Sequence, residues 1–214
     1  MFELLKKSRT DVLDKIENAV YEELKPHGFR RFGRTFHRFV SGDISQVIDF
    51  QQGEVRHGEN HLLYVNVGIR VPECEARSFA AELEQKKYYH EDECNIRSRL
   101  GTVEGREEAC YDLRKPAEKI CADILRQITE VVLPAFDALA SRDAILLHRK
   151  EYPQFDTFND HLVLLEEAMI YGRRGDRDKA AELFRQHYDQ SGDNRNHLDY
   201  LGRLAKELGI ELHM

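Results

Sequence analysis

The sequence predicts an α+β protein: an antiparallel β-sheet packed with helices over residues 1–149, followed by a helical region over 150–214. Three observations carry this. Residues 35–71 hold three strand-like runs separated by short polar loops. Apolar residues at three- and four-residue spacing flank these runs, over 10–25 before them and 116–133 after them. Beyond residue 160 every run has helical spacing, broken only at Arg174-Gly175-Asp176 and Ser191-Gly192-Asp193.

Along the chain, Val12, Leu13, Ile16, Val20 and Leu24 form one apolar stripe, which predicts a helix over 10–25. Ser8 or Thr10 is placed to cap its start, and Pro26 with Gly28 ends it. Thr35–Ser41 alternates: Phe36, Arg38 and Val40 on one side, His37 and Phe39 on the other. Ser41-Gly42-Asp43 is a turn signal, and Ile44–Gln52 is the return strand. His61–Val71 is rich in β-branched residues and reads as the strongest strand. Three neighbouring strands with short connections favour an antiparallel meander.

Pro72 and the acidic residues after it suit a short helix over 73–87, with Ala76, Phe79, Ala80 and Leu83 inward. Cys94–Leu100 and Ala109–Leu113 read as two further short strands, with Gly101 and Gly105 in the turn between them. Pro116 opens a long helix whose apolar face includes Ile120, Ile124, Ile128 and Val131; Pro134 kinks or ends it. Ser141 caps a short helix over 142–149. Lys150–Asn159 is a connector, and three helices follow over 160–173, 176–190 and 194–208. A three-helix piece of that size is marginal alone, so it is expected to pack on the main domain.

Composition narrows the function. Over 214 residues the formal net charge is −7 and the pI about 5.8, which opposes a nucleic-acid or anionic-membrane binder unless a local basic patch exists. No apolar run approaches the roughly 18 residues that a membrane span needs. Charges interrupt the N-terminal stretch MFELLKKSRTDVLDKI, which is therefore not a signal peptide. The expectation is a cytoplasmic chain with its four cysteines, Cys74, Cys94, Cys110 and Cys121, reduced and mostly buried.

No motif calls for a cofactor or a metal. His90-x-x-x-Cys94 is a single loose pair, whereas structural zinc wants four converging ligands. There is no G-x-S-x-G elbow and no phosphate-binding glycine loop; Gly101-x-x-x-Gly105 lacks the Lys-Ser/Thr that completes one.

The sharpest feature is Lys25–Ser41. It carries five cations, Lys25, Arg30, Arg31, Arg34 and Arg38, and no acid. Phe29, Phe32, Phe36 and Phe39 are interleaved. Arginine with exposed aromatics serves single-stranded nucleic acid and protein hot spots alike. In the plainer alternative the phenylalanines are core and the arginines pair with acids elsewhere. Arg97 and Arg99, two apart on a strand, face one side; suitably paired strands would let them extend the patch of Arg38 into an anion or carboxylate site.

The residues Gly28-Phe29-Arg30, Gly33-x-x-Phe36-x-Arg38, Ile48-x-Phe50-Gln51, Val65-Asn66-Val67-Gly68-Ile69 and Ile96-Arg97-x-Arg99-Leu100-Gly101 resemble the bacterial family called domain of unknown function 4304, over about residues 5–145. The resemblance implies an α+β domain with an antiparallel sheet and supplies no catalytic residues. The family's tryptophan-bearing strand has no tryptophan here, and Tyr111 is the candidate for that place. Separately, Gly175-Asp176-x-x-x-Ala180-x-x-x-Phe184 is similar to the turn and second helix of a tetratricopeptide repeat; one repeat alone builds no concave groove.

The resulting expectation is a non-enzymatic accessory protein that binds a protein or peptide through Arg30, Arg31, Arg34, Phe36, Arg38, Arg97 and Arg99, the helical region, or both. Toxin neutralisation is a role suggested by analogy alone. The alternatives are an enzyme with an arginine-lined anion or carboxylate pocket on the sheet face, and single-stranded nucleic-acid binding.

Overall fold

The computed structural model describes residues 2–53, 61–75, 85–106, 110–158, 160–192 and 195–210. Helix α1 (Phe2–Leu24) leads into the sheet strands β1 (Arg30–Phe32), β2 (Thr35–Val40), β3 (Ile44–Gln52) and β4 (Leu62–Arg70). A turn of helix α2 (Pro72–Glu75) precedes β5 (Ile96–Arg99), α3 (Leu100–Val103) and β6 (Tyr111–Asp112). Then come α4 (Ala117–Gln127), α5 (Leu133–Ala138), α6 (Arg142–His148), α7 (Val163–Arg173), α8 (Arg177–Gln190) and α9 (Arg195–Leu208). All strand pairs are antiparallel, in the order β1-β2-β3-β4-β5, with β6 also on β4. The fold is α+β, with helices following the sheet. Among the described residues no helix is long and apolar enough to cross a membrane.

One sheet face builds the main core. Leu13, Ile16, Val20 and Leu24 of α1 meet Phe36, Ile48, Val65 and Val67 there, joined by Ile120, Ile124 and Phe136 from the later helices. Burying each such side chain is worth about 1.5–3 kcal/mol. Helix α1 begins at Phe2, so Ser8 and Thr10 lie inside it rather than at its cap. It ends as expected: Pro26 sits in a 3-10 turn and Gly28 closes it at φ 84°.

The other sheet face carries His37 and Phe39, which gather with Val47, Tyr89 and Cys94. The Cys94 segment lies so close to β4 that a Cβ on Gly68 would stand 2.6 Å from the Cβ of Cys94. Gly68 is a requirement of that approach.

Two expectations need correction. The helix after Pro72 does not reach residue 87: Gln85–His90 is not helical, and Ala76, Phe79, Ala80 and Leu83 lie outside the described residues. Of the two outcomes expected at Pro134, a kink or an end, the end does not occur. The chain widens into a π-turn at Ile128–Val132 and continues as α5 with Pro134 in its first turn. The wider turn gives room to a residue that lacks an N–H and whose ring would crowd the preceding turn.

The helical region has its own core, where Ala168, Met169, Ala180, Phe184, Leu201 and Leu204 pack together. Gly175, at φ 86°, makes the α7–α8 turn, and the Asp176 carboxylate accepts from the Lys179 amide. Ala180 is fully buried, which permits close helix approach.

A buried ion network joins this region to the sheet domain. Arg149 is 2% exposed; its Nε and Nη2 donate to the two Asp156 carboxylate oxygens, both at 2.7 Å, and Nη2 donates to Glu166 at 2.6 Å. Glu166 lies on α7, and the Cys74 thiol of α2 donates to its backbone carbonyl. Burial pushes the Glu166 carboxyl up to about 7, against the pull of Arg149.

Replacing Arg149 by Met leaves the buried Asp156 carboxylate without its cation and the Glu166 carboxyl without its hydrogen-bond donor, so unfolding in urea near neutral pH should show a loss of roughly 3–5 kcal/mol. Adding Asp156→Asn and Glu166→Gln should recover more than half of it. An Arg149→Met protein as stable as the parent would contradict this account.

Candidate functional site

The arginine-rich hairpin is largely spent on structure. Glu17, on α1 and 1% exposed, receives Arg31 at 2.5 Å and Arg34 at 3.3 Å. Arg31 also donates to Asn18 and to the Gly33 carbonyl, and Arg34 to Gln52. Arg38 pairs with Asp137 of α5 at 2.7 Å, donates to Gln46 and to the His27 carbonyl, and lies over the Phe29 ring. Phe36 is fully buried. These four are therefore not free contact residues: Phe36 belongs to the core, and Arg31, Arg34 and Arg38 tie the hairpin to the helices behind it. Arg30 is exposed on edge strand β1.

The strand register also separates the sequence-predicted arginines. Arg38 lies opposite Gln46, which lies opposite Ile69, which lies opposite Ile96. Arg97 and Arg99 flank Ile96 and Ser98 with opposite parity, so they project from the other face of the sheet. They do not extend the patch of Arg38, and the three arginines cannot line one pocket.

Sequence reasoning missed Glu17. The signal was present: Glu17 falls on the apolar stripe between Leu13 and Val20, where a carboxylate is buried unless a cation comes to it.

A concave feature lies elsewhere. A cleft of about 930 Å³ opens between the Glu91–Asn95 loop on one side and α7 and α9 on the other. Leu162, Leu165 and Met169 supply apolar surface, while Tyr200 and Arg203 come from α9 and Asp92 from the loop. Asn95 fixes the loop: its side-chain oxygen accepts from the Val71 amide at 2.9 Å, and its own amide donates to Ile69. Two cysteines, Cys74 and Cys94, face the cleft. Burial pushes both thiols well up, so neither is poised as a thiolate nucleophile. Among the described residues no group of three or more His, Cys, Asp or Glu is arranged to hold a metal ion.

His197 stands in the same wall, and its Nε2 lies 3.2 Å from Nε2 of His187 on α8. Burial, with His197 and His161 adding to it, holds His187 down at about 4 from an ordinary 6.5. His187 is thus neutral when folded, whereas the unfolded chain takes up its proton below pH 6.5. Its contribution to stability is complete above 6.5 and is lost as pH falls from 6.5 towards 4. Between about pH 7.5 and about pH 4.5, the native protein should lose about 2–3 kcal/mol more than His187→Gln in urea unfolding. Parallel pH curves would contradict this.

A family model described as a domain of unknown function, DUF4304, matches residues 20–138. That span takes in the whole sheet, α4 and α5, and leaves α6 to α9 outside. No curated protein and no solved structure matches the chain. Because the match covers more than half of its length, the chain belongs to the DUF4304 family.

Proposed function

We propose that this is a non-enzymatic binding protein that holds a protein or peptide segment in the cleft between the Glu91–Asn95 loop and the helices α7 and α9. The cleft itself is the observation that carries the reading. At about 930 Å³ it is at the upper end of ordinary ligand sites. It is partly open to solvent, which suits a chain lying across it. Its wall offers Tyr200 and Arg203, residue types enriched where proteins meet. An apolar floor with a polar rim is the usual anatomy of such a surface. The raised thiols of Cys74 and Cys94 favour binding over cysteine chemistry.

The cleft joins a wall from the matched family span to a wall outside it. The helical region then serves as the second jaw of a site whose first jaw is the sheet domain.

The test is selection of binders from a displayed peptide library on the full chain. Selected peptides should lose affinity by about tenfold on Tyr200→Ala or Arg203→Ala. They should be indifferent to Leu147→Ala, an exposed position on α6 outside the cleft. A library that yields no binder, or binders that ignore both α9 substitutions, overturns the reading.

A further inference from the structure

Arg97 and Arg99 stand two residues apart on β5 and project from the same sheet face. Their surroundings differ from those of the hairpin arginines. Arg97 is anchored: Nη1 donates to the Asp92 carbonyl, and Nε lies 2.9 Å from Oε1 of Glu91. That Glu91 contact is out of line, so neither atom completes a hydrogen bond. Arg99 has less. Its guanidinium lies 4.4 Å from the centre of the Tyr64 ring and 5.7 Å from that of Phe158. Among the described residues it makes no hydrogen bond and no ion pair, although the Glu91 carboxylate beside Arg97 acts on it from farther off, and its Nε is buried without a partner.

A guanidinium carries five donors in a rigid fork, and a buried donor left unmade is costly. Tyr64 and Phe158 satisfy the faces of the cation but not its edge. Phe158 also lies over Arg97, at 4.9 Å, and is 40% exposed, one of two large hydrophobic side chains so exposed among the described residues. An aromatic ring held in water by two arginines, beside an unspent fork, is a half-built contact.

We infer that the Arg97–Arg99–Phe158 surface is a second binding site, which takes carboxylate side chains of an extended acidic peptide. The Nη1–Nη2 edge of Arg99, which unlike Nε is not buried, matches a carboxylate in bidentate geometry. Arg97, already held by Glu91 and Asp92, positions the Phe158 ring beside that fork, where the rest of an extended acidic chain would lie. The connector packs beside β5, where the Ser98 and Thr157 side chains share a hydrogen bond at 2.8 Å. This site stands apart from the cleft, whose lining includes none of Arg97, Arg99 and Phe158, so the two readings fail separately.

The probe is fluorescently labelled hexaglutamate, titrated into the full chain at low salt and followed by anisotropy, with labelled hexaglutamine as the neutral control. Hexaglutamate should bind saturably and hexaglutamine should not. Arg99→Gln should weaken binding by about tenfold, the scale set by one charge-assisted bidentate contact. Phe158→Ala should weaken it by a smaller factor; since Phe158 is exposed, that variant keeps the test alive if Arg99→Gln fails to fold. Tyr200→Ala should leave it unchanged. Equal binding of hexaglutamine, affinity unmoved by both Arg99→Gln and Phe158→Ala, or displacement by inorganic phosphate at concentrations equal to hexaglutamate would overturn the inference.

Discussion

The buried contact of Arg149 with Asp156 and Glu166 sets the relation between the two cores. Arg149 follows the last helix of the sheet domain, Asp156 lies in the connector and Glu166 on α7. A guanidinium that has left water needs both carboxylates, and each carboxylate needs it. The connector therefore has one low-energy path, and α7 one seat. On that seat α7 contributes Leu165 and Met169 to the cleft wall opposite residues 92–95. An apolar seam could have supplied comparable stability. An ionic one is more demanding in geometry, because a shifted helix would expose an unpaired buried charge rather than merely a looser contact.

Much of the fold is legible in the sequence, because periodicity is a local property. Phe36 and His37 alternate as strand neighbours do, and Ile120, Ile124 and Ile128 recur as helix neighbours do. The breaks at Gly28, Gly42 and Gly175 were equally readable, since each adopts a positive φ that side chains resist. The π-turn before Pro134 was not readable. A proline announces that the regular hydrogen-bond ladder fails, but whether the helix stops or widens depends on what it packs against. Here Val132, Leu133 and Phe136 are all core residues, which rewards continuing the helix.

The candidate sites were less legible, and for a different reason. Whether two arginines on different strands share a face is decided by register, which couples loop lengths across the sheet. A shift of one residue anywhere between Arg38 and Arg97 would reverse the answer. The cleft was invisible for a related reason: its walls come from residues 74–75 and 92–95 and from residues 161–169 and 196–203, and only the docking of the helical region brings them together.

The basic hairpin shows how a local charge count misleads. Within Lys25–Ser41 there are five cations and no acid, yet the acids that matter, Glu17 and Asp137, lie just outside that window and about a hundred residues away. Glu17 is the decisive one. Buried on the inner stripe of α1, it can be charged only if cations come to it, and β1 and the turn after it deliver Arg31 and Arg34. The helix thus recruits the hairpin, and the apparent surface patch is the visible side of an internal requirement. By the same logic, the arginine that invites a partner is the one with rings in contact and no carboxylate within ion-pair distance. Arg99 meets that description, and Arg31, Arg34 and Arg38 do not.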